Sequence, residues 1–365
     1  MKILFLTHTL NTGGAERVGA NIANGLQELG WDVIVLANKK GEITYPLNSN
    51  IKLKWFNAES GHRLLKGFRV LKQLIKILNE EKPDVIVEIL HVFPHELLLA
   101  RKFANWKCPI IITEHDSYER PACAPMSRYL HYKKWILDKK YDYITVLTKA
   151  DKDYIGNRLK NVKVMYNPLF LEPLKKVPIK EKTILTIGRL DAWHYKGFDI
   201  LISAWHDISE QFPDWNLRII GAGSQETHQY LRDLAKGIDN ISFADYTTNI
   251  IEEYKKAAIY CLSSRYEGWG LVMVEAMSQG CATIACNYKG RQAECIKDRF
   301  DGLLCEPDNI TELTLRIKEL ILDNDLRSRI QSNALLSSKR FKYNQISKEW
   351  DTFLKSIINN WNYKR

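Results

Sequence analysis

The sequence predicts an α/β protein of two lobes, each a parallel sheet covered by helices, and three observations carry this. Short apolar runs alternate with amphipathic segments, the signature of strand–helix–strand units. The alternation occurs twice, on either side of residues 167–182, which carry three prolines and charge without periodicity. The chain's 365 residues are long for one core and suit two.

KILFLT opens the chain as a buried strand; its apolar run is too short for a signal segment and leads into polar NTGGAER rather than a cleavage site. AERVGANIANGLQELG has helical spacing from about Ala15, and Gly30 is its stop. The strands WDVIVLA, DVIVEIL, PIIITEH and YITVLT complete the first lobe. Within it, HRLLKGFRVLKQLIKIL places Leu64, Phe68, Leu71, Ile75 and Leu78 on one face, with Arg63, Lys66, Arg69, Lys72 and Lys76 mostly elsewhere. Such a helix packs on a sheet or lies on anionic lipid. SRYLHYKKWILDKK, with Tyr129, Tyr132 and Trp135, is a second basic, aromatic candidate for a membrane surface. The second lobe reads as strands TILTIG, WNLRIIG, IYCLSS and ATIAC, with helices FDILISAWHDISEQF and QYLRDLAKG between them. A last helical pattern, NQISKEWDTFLKSIINNW, ends the chain. Two Rossmann-like domains follow, residues 1–168 and 169–345.

Composition narrows the class. Apolar residues make up 45%, and no run approaches the ~20 apolar residues of a membrane span. The seven cysteines contain no C-x-x-C, so reduced, buried thiols and a cytoplasmic setting are expected, with no metal site. Residues 1–175 hold 27 Lys and Arg against 18 Asp and Glu, while the rest hold 26 against 25, so the net charge of +10 belongs to the first half. A basic half attracts anionic lipid or nucleic acid, or is simply a soluble surface.

The chemistry concentrates in SSRYEGWGLVMVEAMSQG, residues 263–280. Glu267 and Glu275 stand eight positions apart across a glycine turn into a helix. Gly268 and Gly270 let backbone approach a ligand, and the N–H groups near Leu271 and Val272 suit a diphosphate. Upstream, Gly188 and Arg189 end a strand, with Lys196 and Gly197 seven residues on, two cations placed to neutralise that diphosphate. Gly221 and Gly223 follow another strand; as a dinucleotide fingerprint the run fails, because Glu226 replaces its third glycine. Gly13 and Gly14 open a helix after the first strand. Glu114, His115 and Asp116 stand at a strand end, where open α/β sheets bind ligands, and His91 and His95, near Glu88, are lesser candidates. Two D-x-D strings, Asp151 to Asp153 and Asp323 to Asp325, lie in helical, charged contexts and read as solvated helix caps.

The paired glutamates, with YEGWG before the helix and LVMVEAM inside it, resemble the E-x7-E motif of the retaining nucleotide-sugar glycosyltransferases of family 4. The resemblance implies the GT-B fold, two Rossmann-like domains with parallel sheets facing across a cleft, and a terminal helix, about 346–365, packing back on the first domain. It assigns Arg189 and Lys196 to the donor diphosphate, Glu275 to the ribose, Glu267 to the transferred sugar, Gly13 and Gly14 to diphosphate and acceptor, and His115 to the reacting sugar. It implies a metal-independent enzyme without a cofactor, its donor, a UDP-sugar, being substrate. Two departures stand out: Phe243, Ala244 and Asp245 replace the Phe-x-Gly of the base pocket, and Asn287 and Lys289 take no role. GGAER, the Glu-His strand end and the Asn167-Pro168-Leu169 run resemble bacterial enzymes that extend undecaprenyl-diphosphate-linked oligosaccharides, which implies a cytoplasmic protein peripheral to the inner face of the membrane.

Two other classes are open to the same lobes. An NAD-dependent oxidoreductase needs G-x-G-x-x-G after the first strand and an acid at the end of the second, where Asn38 and Lys39 stand. A nucleic-acid-binding protein suits the basic half but lacks a recognisable motif, so no nucleic-acid partner is expected.

Overall fold

The computed structural model describes residues 1–11, 13–38, 40–56, 63–247 and 249–363, with the side chains of residues 63 and 64 left aside. Thr12, Lys39 and His62, which fall in motifs read above, lie outside the described residues, as do the side chains of Arg63 and Leu64.

The chain forms two compact units. The first holds Met1–Glu119, Met126–Pro168 and Tyr343–Arg365; the second holds Arg120–Pro125 and Leu169–Lys342. Arg120–Pro125 thus departs from a simple division at residue 168.

In the first unit, strands β1 (Lys2–Thr7), β2 (Asp32–Ala37), β3 (Lys52–Trp55), β4 (Val85–Ile89), β5 (Ile110–Thr113), β6 (Tyr143–Val146) and β7 (Val162–Val164) lie in the order β3-β2-β1-β4-β5-β6-β7, all parallel. Its helices include α1 (Gly14–Glu28), α2 (Arg63–Glu81), α3 (Pro94–Phe103), α4 (Arg128–Tyr132) and α5 (Lys149–Ile155), and a π-helical turn, Lys133–Leu137, continues α4. The central strands are buried on both faces, as parallel strands between helices must be, which is why they read as unbroken apolar runs.

The second unit repeats the plan with β8 (Glu181–Ile187), β9 (Asn216–Ile220), β10 (Ile241–Ala244), β11 (Ala257–Leu262), β12 (Ala282–Cys286) and β13 (Leu303–Cys305), in the order β10-β9-β8-β11-β12-β13. Between and after them come α6 (Trp193–Lys196), α7 (Phe198–His206), α8 (Gln225–Leu234), α9 (Ile250–Lys256), α10 (Leu271–Ser278), α11 (Ile310–Leu322) and α12 (Asn324–Ser338). Its core gathers Trp205, Phe198, Ile259, Ile284 and Leu320 around the sheet.

The last helix, α13 (Tyr343–Tyr363), belongs to the first unit. It lies against α1, where Gly25 leaves room for Ser347: a Cβ on Gly25 would come 1.9 Å from the serine oxygen. Trp31 Nε1 donates to Asp351 over 2.8 Å, and Phe353 meets Tyr143 edge-on.

Three sequence readings are corrected. The buried face of α2 is Val70, Leu74, Ile77 and Leu78; Phe68, expected on that face, is 55% exposed, because the contact with the sheet is rotated from the stripe the spacing suggested. The basic run SRYLHYKKWILDKK, read as a candidate membrane surface, does not lie wholly on the surface, since Lys134 and Asp138 are fully buried. Asp151 is a buried rather than a solvated cap: it accepts from Ser117, Thr148 and the Tyr118 amide, at 2.6, 2.8 and 2.9 Å. Asp323 does cap a helix, accepting from the Leu326 amide at 2.8 Å. Every cysteine is a free thiol, and Cys123 is exposed while the other six are buried. Among the described residues no helix is long and apolar enough to cross a membrane.

Candidate functional site

In the second unit the chain order reverses between β8 and β11, and the loops leaving their C-terminal ends stand where such sheets take ligands. The β8 end leads into Gly188 and Arg189 and then, through α6, to Lys196. The β11 end leads into residues 263–270 and then α10.

One glycine locks these two loops together. Gly197 has φ +68, and a Cβ on it would sit 2.0 Å from the Ser263 carbonyl oxygen, so only glycine allows the approach. Ser263 Oγ returns a hydrogen bond to the Lys196 carbonyl at 3.1 Å. Arg265 adds a second clamp, with 2.8 Å bonds to both carboxylate oxygens of Asp199 and to Asp308, and its amide donates to the Tyr195 carbonyl at 2.9 Å.

The loops carry opposite charges into contact. Lys196 Nζ lies 2.8 and 3.1 Å from the two oxygens of Glu267, with both side chains about four-fifths buried. Arg189 is exposed and donates to the Tyr195 hydroxyl at 2.8 Å, one residue from Lys196. Gly270 caps α10 with φ +88 and no side-chain cap bond, so the first amides of the helix, at Leu271 and Val272, face no capping side chain. One turn further in, Glu275 is buried and accepts from the Tyr254 hydroxyl at 3.1 Å. Burial, joined by the charge of Glu275 and this bond, holds the Tyr254 phenol well above its ordinary value.

Gly221 and Gly223 serve packing at their positions. A Cβ on Gly221 would fall 1.8 Å from the Gly188 carbonyl oxygen, and one on Gly223 would fall 2.8 Å from Leu190 Cβ. Asp191 closes this corner by accepting from the Ser224 amide and the Thr227 hydroxyl at 2.8 and 2.9 Å.

The remaining candidates lie in the first unit. Gly13, at φ +101, precedes α1, and the Glu16 carboxylate folds back to within 2.0 Å of where a Gly13 Cβ would be; burial pushes that carboxyl up. Gly14 faces open space. His115 follows β5, its Nε2 3.2 Å from the Thr113 hydroxyl, and burial holds the imidazole down to about 4, so it is neutral at pH 7. Beside it lies a group of buried charges, Glu88, His91, Glu114, Lys134 and Asp138. Among the residues the sequence reading missed, Tyr254, Lys134 and Asp138 sat in helical or basic runs without a motif, while Arg265 lies within the 263–280 segment, beside Glu267, and was passed over there.

A two-sheet α/β protein with this loop arrangement has the architecture of a GT-B glycosyltransferase, and comparison with known proteins agrees. Residues 12–172 match the model described as Glycosyltransferase Family 4, and residues 172–336 match Glycosyl transferases group 1. The chain thus carries two glycosyltransferase domains, which together take in residues 12–336, and the oxidoreductase and nucleic-acid alternatives lose their ground. It is 29% identical over 356 residues to an uncharacterised glycosyltransferase of Haemophilus influenzae, covering 96% of this chain and 98% of the relative. It is 28% identical over 372 residues to the GalNAc-alpha-(1->4)-GalNAc-alpha-(1->3)-diNAcBac-PP-undecaprenol alpha-1,4-N-acetyl-D-galactosaminyltransferase of Campylobacter jejuni, covering 98% of this chain and 99% of that enzyme. In fold it is similar to HepE of Anabaena, solved with UDP and glucose, at a TM-score of 0.80 and 21% identity over 98% of this chain and 100% of that one.

Proposed function

We propose that this glycosyltransferase is a retaining enzyme that moves a hexose or N-acetylhexosamine from a UDP-sugar to a saccharide acceptor carried on undecaprenyl diphosphate, in the synthesis of a bacterial surface polysaccharide or glycan. The observation that carries the reading is the Lys196–Glu267 pair, set at the switch point of its sheet beside the uncapped start of α10. An ammonium, an exposed guanidinium at Arg189 and helix amides suit a diphosphate whose charge grows as the glycosidic bond breaks. Glu275 takes the ribose diol and Glu267 orients the sugar. The acceptor hydroxyl attacks the anomeric carbon from the face the diphosphate leaves: the new C–O bond forms as the sugar–phosphate bond breaks, and the hydroxyl proton passes to the departing phosphate oxygen. Neutral His115 in the first unit meets the reacting sugar as a hydrogen-bonding group. No metal or cofactor enters this scheme, because the cations and amides supply the charge.

The acceptor side of the proposal draws on the undecaprenol-linked substrate in the name of the Campylobacter relative. Contact with an anionic membrane at the cytoplasmic face accords with it, since Leu65 and Phe68 of α2 are 56% and 55% exposed among basic residues.

The test is a panel of UDP- and GDP-sugars, read first by thermal stabilisation and then by transfer to an undecaprenyl-diphosphate-linked saccharide with EDTA present. Stabilisation and transfer with a UDP-sugar support the reading. Stabilisation by GDP-sugars only would replace the donor, and activity lost in EDTA and restored by a divalent ion would replace the charge scheme.

A further inference from the structure

The first unit buries a chain of ionisable groups at the ligand edge of its sheet. Lys134 Nζ lies 2.6 Å from Glu114 Oε2 and donates to the Asp116 carbonyl at 2.7 Å. The other oxygen of Glu114 is 3.3 Å from His91 Nδ1, and His91 Nε2 is 2.7 Å from Asp138. The Tyr118 hydroxyl donates to the second oxygen of Asp138, and the Lys134 ammonium, 4.2 Å from the Tyr118 ring centroid, closes the circuit. Glu88 stands alongside, bonded to the Tyr141 hydroxyl and to the amides of Val92 and Phe93. None of Glu88, His91, Glu114, Lys134 and Asp138 exposes more than 4% of its surface.

Burying so many charges is costly, and replacing them with apolar groups of similar volume is often neutral or stabilising. Stability therefore does not explain them. His91, Glu114 and Asp138 bring ligand atoms within 4.8 Å of one another, the spacing of a cation site, and the cation beside them is the Lys134 ammonium. Lys134 sits in the π-helical turn that continues α4, a distortion that often marks functional positions. Glu114, a member of the circuit, immediately precedes His115. Titration follows the geometry: burial resists charge on Glu114, yet Lys134 and His91 outweigh it and hold the carboxyl low, while burial pushes Asp138 up to about 6.

We infer that Lys134, Glu114, His91 and Asp138 are positioning residues that hold His115 and the loop after β5 in the geometry sugar transfer needs. The inference rests on the proposed role of His115 and adds the residues that fix it. Glu114 is held at one oxygen by Lys134 and faces His91 at 3.3 Å with the other, which fixes the strand end beside His115. A displacement of about 1 Å at such a group costs roughly a hundredfold in turnover.

The experiment compares Lys134→Met, the pair Lys134→Met with Glu114→Gln, and Asp138→Asn, measuring Tm, Kd for UDP-sugar, and kcat. Lys134→Met alone leaves a buried carboxylate without its cation and lowers Tm; the double variant removes both charges and recovers it. The expected result is a double variant with recovered Tm, donor Kd within about threefold, and kcat still down by about a hundredfold. Asp138→Asn keeps the Lys134–Glu114 pair and loses about tenfold in kcat at unchanged donor affinity. Any of the three folding with full kcat overturns the inference and makes the circuit structural only. Failure of the wild-type protein to transfer from any nucleotide sugar would instead strike the proposed function.

Discussion

Lys196 and Glu267, 71 residues apart, share two hydrogen bonds of 2.8 and 3.1 Å between the loops that follow β8 and β11. Each neutralises the other; under the proposed function, a donor diphosphate that takes Lys196 would release Glu267 toward the sugar. The two acids of the E-x7-E motif are therefore unlike: Glu267 is paired with a cation, while Glu275 is buried against Tyr254.

That difference separates the two variants. Glu275→Gln is expected to weaken UDP-sugar binding by about tenfold, the loss of one charge-assisted hydrogen bond, with kcat at saturation little changed. Glu267→Gln is expected to bind the donor within about threefold and lose about a hundredfold in kcat. Calorimetry and initial rates check both, and near-normal turnover in the two variants would remove the motif from the mechanism.

Backbone geometry gives a second contrast. Gly197→Ala forces a side chain at φ +68 into the Ser263 carbonyl. A loss of about 2 kcal/mol is expected, or about 4–8 °C in Tm. Gly14→Ala meets open space at the start of α1, and its Tm should move by less than about 2 °C. Reduced activity in Gly14→Ala at unchanged Tm would mark that position as touching ligand.

His115 makes stability depend on pH in one direction. Its folded value of about 4 lies below its ordinary 6.5, because burial disfavours the charged ring, so its unfolded form binds the proton more readily. The contribution is fully present above pH 6.5 and is lost as pH falls toward 4, by up to about 3 kcal/mol. Asp138, raised from 3.8 to about 6, works the other way over its own window. The clean measurement is a difference: the stability of the protein relative to His115→Gln should shrink between pH 6.5 and 4. A constant difference would show that His115 titrates normally.

Membrane contact has its own test. Vesicles rich in phosphatidylglycerol should retain the protein at low salt and release it at high salt, where the charges are screened. Replacing Leu65 and Phe68 together with serine should reduce retention by at least about tenfold, since both apolar side chains are then lost from the contact. Equal binding to neutral vesicles would point to an apolar rather than a charge-led surface.

The sequence by itself determined the α/β class, the central strands of both sheets and the place of the E-x7-E motif at a strand-to-helix turn, because a strand buried on both faces must be apolar throughout and a tight turn into a helix needs its glycines in place. It did not reveal β3, β7, β10 or β13, and these four are the edges of the two sheets. An edge strand has one neighbour and less cover, so short, half-buried runs such as Lys52–Trp55 and Val162–Val164 carry no unbroken apolar signal. Only the tertiary structure decided that Lys134 and Asp138 are buried while Phe68 is exposed, and that Lys196 meets Glu267. Periodicity records which residues share a face; which face is covered, and which distant charge lies opposite, depends on how the helices and loops settle against the finished sheet.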